Sequence, residues 1–169
     1  MKNGKEMFLS AYDSHSGEIY RHLATRLSST ERAEELLQET FLRAWKVFSE
    51  GGRPDNVRAY LYRIATNLVI DEYRRKKEES LDEVLEQTPW KEPSDPAQDS
   101  SYLALAREAK DAIMKLPEEE GRLVAMRYID DMDISEIAEV LGITANNTSV
   151  KLHRAVQKLR KILDPKADE

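Results

Sequence analysis

Apolar residues recur every three or four positions along most of the chain, and no segment keeps a sustained alternation of apolar and polar residues. The first spacing gathers apolar side chains on one side of an α-helix, whereas alternation would indicate a β-strand. The pattern therefore predicts an all-α fold. The expected helices cover residues 5–28, 30–48, 56–77, 102–115, 117–130, 134–141 and 146–163.

Residues at the ends of these segments support the predicted boundaries. Thr30 can cap the second helix, and Asp55 or Asn56 can cap the third. Pro117 suits the start of the fifth helix. Gly142 allows the positive φ that a sharp turn between the last two helices requires.

An acidic stretch that contains prolines separates two helical blocks. Residues 78–101 contain eight acidic residues, one lysine and three prolines. Like charges oppose collapse and prolines interrupt helices, so this stretch is predicted to be a flexible linker with one helical turn at residues 81–85. The formal net charge of the chain is −6, and the linker accounts for the excess of acid. The two blocks are therefore close to neutral and can carry local basic faces.

The last two predicted helices have the pattern of a helix-turn-helix. A short apolar stripe in residues 134–141 precedes Gly142, and residues 146–163 then carry five basic residues and no acidic one. The side of the last helix expected in the core holds Thr148, Leu152, Ala155, Val156, Leu159, Ile162 and Leu163. The opposite side can enter a DNA major groove, with Asn147 suited to adenine, Arg154 to guanine or phosphate, and Val150 to a thymine methyl. A solvated basic hairpin is the alternative.

The third predicted helix also has a basic face. Its expected core stripe is Leu61, Ile64, Ala65 and Leu68. The far side carries Arg63, Thr66, Asn67, Ile70, Tyr73 and Arg74, followed by Arg75, Lys76 and Lys77. Cations interleaved with an aromatic ring and amide groups suit single-stranded nucleic acid. A surface helix whose basic end is favoured by the helix dipole explains the pattern equally well.

The second predicted helix carries two apolar residues outside its core stripe. The stripe expected to be buried is Ala33, Leu37, Phe41, Ala44 and Phe48. Leu42 and Trp45 fall beside it, next to Glu34, Glu35, Gln38 and Glu39. Exposed apolar anchors ringed by acids indicate a docking surface for a basic protein partner. Alternatively, the first helix covers Trp45, and the sequence leaves both interpretations open.

Few side chains suit catalysis or metal binding. The chain has no cysteine, its three histidines are far apart, and no Walker phosphate loop or nucleophile–base pair is present. We therefore expect neither an enzyme nor a cofactor. Asp71, Glu72, Asp130, Asp131 and Asp133 are interpreted as helix-end and turn residues. No apolar run is long enough to span a bilayer and no signal-peptide core is present, which indicates a cytoplasmic protein.

Three segments in this order resemble the extracytoplasmic-function (ECF) sigma factors of bacterial RNA polymerase. They are AEELLQETFLRAWKVF at residues 33–48, AYLYRIATNLVIDEYRRKK at 59–77, and the stretch from LPEEEGRLVAMRYIDD to LHRAVQKLRKIL within 116–163. The resemblance implies a region 2 domain at residues 1–77, a linker at 78–104, a region 4 helix-turn-helix domain at 105–164 and a tail at 165–169. It implies that the two small helical domains recognise the −10 and −35 elements of a promoter and drive its opening.

The resemblance also assigns residues and partners. The residues implied to bind the β′ clamp helices of the polymerase core are Glu34, Glu35, Gln38, Glu39, Leu42 and Trp45. Those implied to bind −10 DNA, next to the loop 51–56, are Arg63, Asn67, Asp71, Arg74 and Arg75. Those implied to bind −35 DNA are Asn147, Ser149, Val150, Lys151, His153, Arg154 and Lys158. The apolar side of region 4 is expected to meet the β flap, and an anti-sigma factor is expected as a further partner that holds the chain near the membrane.

This sequence departs from the common family pattern at several of these positions. The docking helix has Glu34–Glu35 where Glu–Asp is commoner. The last helix has Ser149 where lysine is usual and Lys151 where arginine is usual, so the promoter sequence does not transfer from other members. A stand-alone helix-turn-helix regulator with an N-terminal sensor domain is the alternative function.

Overall fold

The structure, a computed structural model, describes residues 3–79 and 100–166, which form seven helices and no strand in those ranges. The helices are α1 (Gly4–Arg26), α2 (Thr30–Ser49), α3 (Val57–Glu79), α4 (Ser100–Met114), α5 (Glu118–Tyr128), α6 (Ile134–Leu141) and α7 (Ala145–Leu163). The all-α prediction and all seven helices are confirmed. The turn predicted at residues 81–85 lies outside the described residues, and α3 and α4 extend into both ends of the predicted linker.

Side chains cap the N-termini of five of the seven described helices, namely α1, α2, α3, α6 and α7. Ser29, not Thr30, caps α2, because its hydroxyl accepts a hydrogen bond from the Arg32 backbone N–H at 3.0 Å. Asn56 caps α3 through the backbone N–H of Ala59 at 2.9 Å, as one of the two predicted choices. A capping side chain usually accepts a hydrogen bond from the backbone N–H two or three residues further along the chain. The capping residue predicted from the sequence, Thr30, is therefore wrong by one position.

Helices α1, α2 and α3 form one compact unit. Its core contains Ile19, Leu23, Ala33, Phe41, Ala44, Phe48, Leu61, Tyr62 and Ala65. The stripe predicted on α2 needs one correction, since Leu36 is buried and Leu37 is only half-buried. On α3, Ile64 is likewise half-buried. Because α3 packs against both α1 and α2, its buried arc is wider than one stripe.

A buried carboxylate ties α2 to α3. Glu72 accepts two hydrogen bonds from the Arg32 guanidinium, at 3.0 and 2.7 Å, and a third from Arg75 at 3.0 Å. The bonds from Arg32 hold the pKa of the Glu72 carboxyl below its ordinary value. The interpretation of Glu72 as a helix-end residue is therefore wrong, because it lies inside α3 and joins two helices. Asp71, which was interpreted in the same way, also lies inside α3 and is exposed.

This pairing predicts how the α1–α3 unit responds to acid. A lowered folded-state pKa means that the ionised carboxylate stabilises the fold at neutral pH, and this stabilisation is lost as pH falls below about 4.5, the ordinary value, towards the lowered one. Glu72→Gln should lower the free energy of unfolding by about 1–2 kcal/mol at pH 7, since charged hydrogen bonds are lost but Arg32 stays partly solvated.

Urea denaturation at several pH values measures this difference. The gap between the wild type and Glu72→Gln should shrink as the solution is acidified below pH 4.5. Asp71→Asn, a neighbouring exposed acid on the same helix, serves as the control and should change stability little. If the difference in the free energy of unfolding between the wild type and Glu72→Gln is the same at every pH, the ion pair of Glu72 with Arg32 does not cause that difference.

Helices α4 to α7 form the second compact unit. Its core contains Ala112, Ile113, Leu116, Leu123, Val124, Ala125, Met126, Met132, Ile137, Ala138, Val140, Leu152 and Ala155. Asp133 caps α6 in a reciprocal capping box with Glu136, and Asp131 has a φ of 53° in the preceding turn. The interpretation of this acidic group as turn and cap residues is confirmed.

Gly142 makes the turn between α6 and α7. It has φ 68° and ψ 32°, the left-handed conformation that the sequence predicted, and its backbone N–H donates to the Ala138 carbonyl. Thr144 then caps α7, which begins at Ala145. A β-carbon at position 142 would meet no atom within 4 Å, so any cost of a side chain there comes from the backbone conformation alone.

Gly142→Ala should therefore lower the free energy of unfolding of the α4–α7 unit by about 1–2 kcal/mol, because an L-residue is strained at this φ. Gly142→Asn should cost less, since asparagine enters the left-handed region more readily. Thermal unfolding of both variants compares them directly. Equal losses for alanine and asparagine would mean that backbone handedness does not limit this turn.

Candidate nucleic-acid and protein interfaces

An apolar patch on the outer side of α2 remains open to solvent. Leu42 is 62% exposed and Trp45 is 38% exposed. Helix α1 covers one side of the indole, because the Phe8 ring meets Trp45 edge-on with their centroids 5.4 Å apart. The alternative that α1 covers Trp45 therefore holds only in part, since α1 contacts the indole but leaves over a third of Trp45 accessible.

Acidic and amide groups border this patch as predicted. Glu34, Glu35 and Gln38 are exposed, and Glu39 is half-buried. Two of the acids are already paired on α2, with Glu35 at 2.6 Å from Arg32 and Glu39 at 2.7 Å from Arg43. The six side chains named from the sequence therefore lie together along one exposed side of the helix.

Helix α1 adds apolar surface that the sequence analysis did not identify. Leu9 and Tyr12 are each nearly half exposed. The Tyr12 ring lies 4.9 Å from Phe41 and 6.3 Å from Phe8, so it continues the aromatic cluster around Trp45. The sequence does show Leu9 and Tyr12 three residues apart near the start of α1. Only the packing of α1 on α2 places these two side chains on the same surface as Trp45.

The basic face of α3 has the composition predicted, with two corrections. Arg63, Asn67, Asp71, Arg74 and Arg75 are all exposed. Thr66, placed on this face from the sequence, is buried, with its hydroxyl 3.3 Å from Nε2 of the buried His22. Tyr73 is half-buried and donates its hydroxyl to the Arg26 carbonyl, so its ring is anchored against α1.

The loop before α3 is anchored to the end of α2. The Gly52 backbone N–H donates to the Val47 carbonyl at 2.8 Å. A β-carbon on Gly52 would lie 2.4 Å from a methyl carbon of Val47, so only glycine permits this close approach. Gly51 takes a positive φ of 90°. The loop 51–56 is thus held at the end of α3 that carries Arg63.

The outer side of α7 is exposed over its whole length. Asn147, Ser149, Val150, His153 and Arg154 are exposed, as expected of a DNA-reading surface. Thr148, Leu152 and Ala155 are buried on the inner side. Val156, Leu159 and Ile162 are only half-buried and Leu163 is 44% exposed, so the predicted core stripe is buried at its N-terminal end alone.

The remaining two predicted DNA contacts on α7 already have acidic partners. Nζ of Lys151 lies 2.7 Å from Glu119, and Nζ of Lys158 lies 2.6 Å from Glu120. The hydrogen bond from Lys151 lowers the pKa of Glu119. The sequence did not reveal these pairs, because their members are separated by 32 and 38 residues.

Within residues 3–79 and 100–166 the structure holds no group of histidine, cysteine and acidic side chains placed to bind a metal ion. No helix among these residues has the length and apolar content needed to cross a membrane.

Comparison with known proteins identifies the family. The Sigma-70 region 2 family model matches residues 11–79, and the Sigma-70 region 4 family model matches residues 106–159. SigW of Bacillus subtilis, an ECF RNA polymerase sigma factor, is 29% identical over 96% of this chain and 91% of its own length. The ECF RNA polymerase sigma factor SigL of Mycobacterium tuberculosis is 31% identical over 88% of this chain and 84% of its own length. The chain belongs to the ECF sigma factors.

Solved structures share the fold of this sigma factor. CnrH, in complex with the cytosolic domain of CnrY, matches with a TM-score of 0.65 at 22% identity, over 96% of this chain and 91% of that one. RpoE of Bartonella quintana, in complex with the anti-sigma factor NepR, gives 0.64 at 18% identity over 98% of each chain. The region 2 match covers most of α1 and all of α2 and α3, and the region 4 match falls on α4 to α7.

The family assignment decides between the two functions that the sequence left open. An alternative RNA polymerase sigma factor needs both a region 2 and a region 4 domain, and both are present in this chain. The stand-alone regulator with a sensor domain is not favoured, because its N-terminal block would have no reason to match region 2. The relatives SigW and SigL are ECF RNA polymerase sigma factors.

Proposed function

We propose that this sigma factor binds the RNA polymerase core through α2, holds the opened −10 element on α3 and reads the −35 element with α7. It performs no chemistry itself, because nucleotide addition belongs to the polymerase. The observation that carries the proposal is the presence of three separate exposed surfaces, each of a different chemical character, on a chain of this family. The proposed site of action is the cytoplasm, where the polymerase works.

The α2 surface suits a protein partner. Leu42 and Trp45 offer apolar area that gains free energy on burial, and the acidic border excludes water and selects a basic counterpart. We assign this surface to the β′ clamp helices of the polymerase, with Glu34, Glu35, Gln38 and Glu39 as its polar rim. The same surface is available to an anti-sigma factor, which would then exclude polymerase by occupying it.

The α3 surface suits an unpaired DNA strand. At 100° per residue, Arg63, Asn67 and Arg74 fall within about 40° of one another around the helix. Such a row can neutralise phosphates while the amide group of Asn67 hydrogen-bonds an unstacked base. The anchored loop 51–56 lies at the start of this row and is assigned to the same element.

The α7 surface suits duplex DNA. Asn147 and Arg154 are seven residues apart and lie on one exposed line, so their side chains can reach base edges in a major groove. Two promoter contacts on separate units reinforce each other once the polymerase positions both, because the second contact forms at a high effective concentration. This explains why an acidic protein can serve as a promoter-recognition factor.

Two further partners follow from the family. CnrH and RpoE were each solved with a second protein, the cytosolic domain of CnrY and the anti-sigma factor NepR respectively. By analogy, we propose an anti-sigma factor for this chain, one that can hold it near the membrane until a signal arrives. The apolar side of the α4–α7 unit is assigned to the β flap.

Mixing the purified chain with core RNA polymerase tests the proposed function. The two proteins should co-elute from a size-exclusion column, and the mixture should transcribe specific promoters from a library of genomic fragments. Core polymerase alone provides the control. A chain that neither co-elutes nor changes the transcripts is not a sigma factor.

A further inference from the structure

The acidic first turn of α5 holds two lysines of the DNA-reading helix. Glu119 binds Lys151 at 2.7 Å and Glu120 binds Lys158 at 2.6 Å. The two lysines are seven residues apart, so they project from the same side of α7. The third acid of this turn, Glu118, instead pairs with Arg122 on its own helix at 3.2 Å. We refer to Glu119 and Glu120 together as the acidic clamp.

The clamped lysines border the surface that faces DNA. On a helical projection Lys151 and Lys158 lie about 40–60° from Arg154, between the exposed row of α7 and the start of α5. A lysine at this edge would ordinarily neutralise a DNA phosphate. In the structure an anionic carboxylate already accepts a hydrogen bond from each of the two lysines.

We propose that the acidic clamp competes with DNA phosphates for Lys151 and Lys158 and so lowers the affinity of the unbound sigma factor for DNA. The inference rests on the proposed role of α7 in reading DNA. While Glu119 and Glu120 hold the two lysines, the α4–α7 unit has a lower affinity for duplex DNA of any sequence. Binding then depends on the polymerase, which supplies the effective concentration that displaces the carboxylates.

The contacts of the clamp are suited to release. The Glu119 side chain is 64% exposed and that of Lys158 is 52% exposed, and ion pairs in water contribute little to stability. The second carboxylate oxygen of Glu120 is buried and has no hydrogen-bond partner among the described residues, which is unfavourable. Leu152 and Ala155 already anchor α7 by burial, so the fold does not require the clamp.

Neutral variants test the clamp against a control of equal charge. The test variant is E119Q/E120Q. The control is E108Q/D111N, which also removes two negative charges from the α4–α7 unit but leaves both lysine pairs in place. Glu108 and Asp111 are exposed on α4. Fluorescence anisotropy with the full-length chain and a short labelled DNA duplex of random sequence measures the affinity, because phosphate contacts do not depend on sequence.

The clamp variant should bind the duplex about threefold to tenfold more tightly than the control, as expected from releasing two lysines that each share a weak, partly solvated ion pair. The gain should vanish when Lys151 and Lys158 are also replaced by alanine. Equal affinities of the clamp and control variants, or a gain that persists without the lysines, would overturn the proposal. If E119Q/E120Q lowers the thermal unfolding temperature, the single variant Glu119→Gln replaces it, because that carboxylate is mostly in solvent.

The same proteins separate this inference from the proposed function. All variants should co-elute with core polymerase as the wild type does, since α2 is unchanged. If the wild type fails to co-elute, the proposed sigma role is refuted. The affinity measured with the DNA duplex still tests the acidic clamp, because that measurement does not involve polymerase. Normal co-elution with no difference in duplex affinity would refute the clamp alone.

Discussion

Trp45→Ala is expected to weaken binding to core RNA polymerase by about thirtyfold to a hundredfold, or about 2–3 kcal/mol. A partly exposed tryptophan at the centre of an apolar patch is the side chain that contributes most to such an interface. The fold should persist, because Trp45 packs on Phe8 at the edge of the unit while Phe41, Ala44 and Phe48 fill its core.

Titration of labelled core polymerase with each variant measures this loss. Arg21→Ala is the control, since Arg21 is exposed on α1 about 180° around the helix from Tyr12 and so lies away from the patch. Thermal unfolding of Trp45→Ala shows whether the unit remains folded. Binding equal to that of Arg21→Ala would remove α2 from the polymerase interface and leave the docking surface to be found elsewhere.

Arg154→Ala is expected to reduce transcription from the cognate promoter by about tenfold to a hundredfold, or about 1–3 kcal/mol, without changing polymerase binding. Arg154 is exposed in the middle of α7, on the line that begins at Asn147. An arginine there can form a bidentate contact with guanine or bind a phosphate, and alanine can do neither.

Promoters found in the genomic-library experiment provide the template for this measurement. Arg160→Ala is the matched control, because Arg160 is an exposed arginine on α7 that lies about 120° around the helix from Arg154. It should retain transcription close to the wild-type level. Equal losses for the two arginines would indicate a general effect of charge, and no loss for Arg154→Ala would mean that α7 is oriented differently on the DNA.

Most of the fold could be predicted because its signals are local. Apolar spacing, a capping residue and a glycine at the α6–α7 turn act within a few residues, and each of the seven helices lies within three residues of its expected ends. Helical periodicity also predicted which side chains of α2 and α7 are exposed. Leu42 and Arg154 are accordingly exposed as predicted, whereas the sequence left the exposure of Trp45 open.

The contacts that periodicity missed are long-range. Glu72 was misinterpreted because its partner Arg32 lies 40 residues away on another helix. Thr66 was placed on the wrong side because α1 covers a second face of α3, through His22. The periodicity of one helix does not show which neighbouring helices will cover it. Burial is therefore predicted wrongly most often for side chains at the margin of an apolar stripe.

Four side chains of the first unit form an unbroken series of ion pairs. Glu35 binds Arg32, Arg32 binds Glu72, and Glu72 binds Arg75. One end of the series belongs to the surface assigned to polymerase and the other to the surface assigned to the melted promoter strand. A charge change at either end of the series is therefore expected to alter the electrostatic environment of the other end.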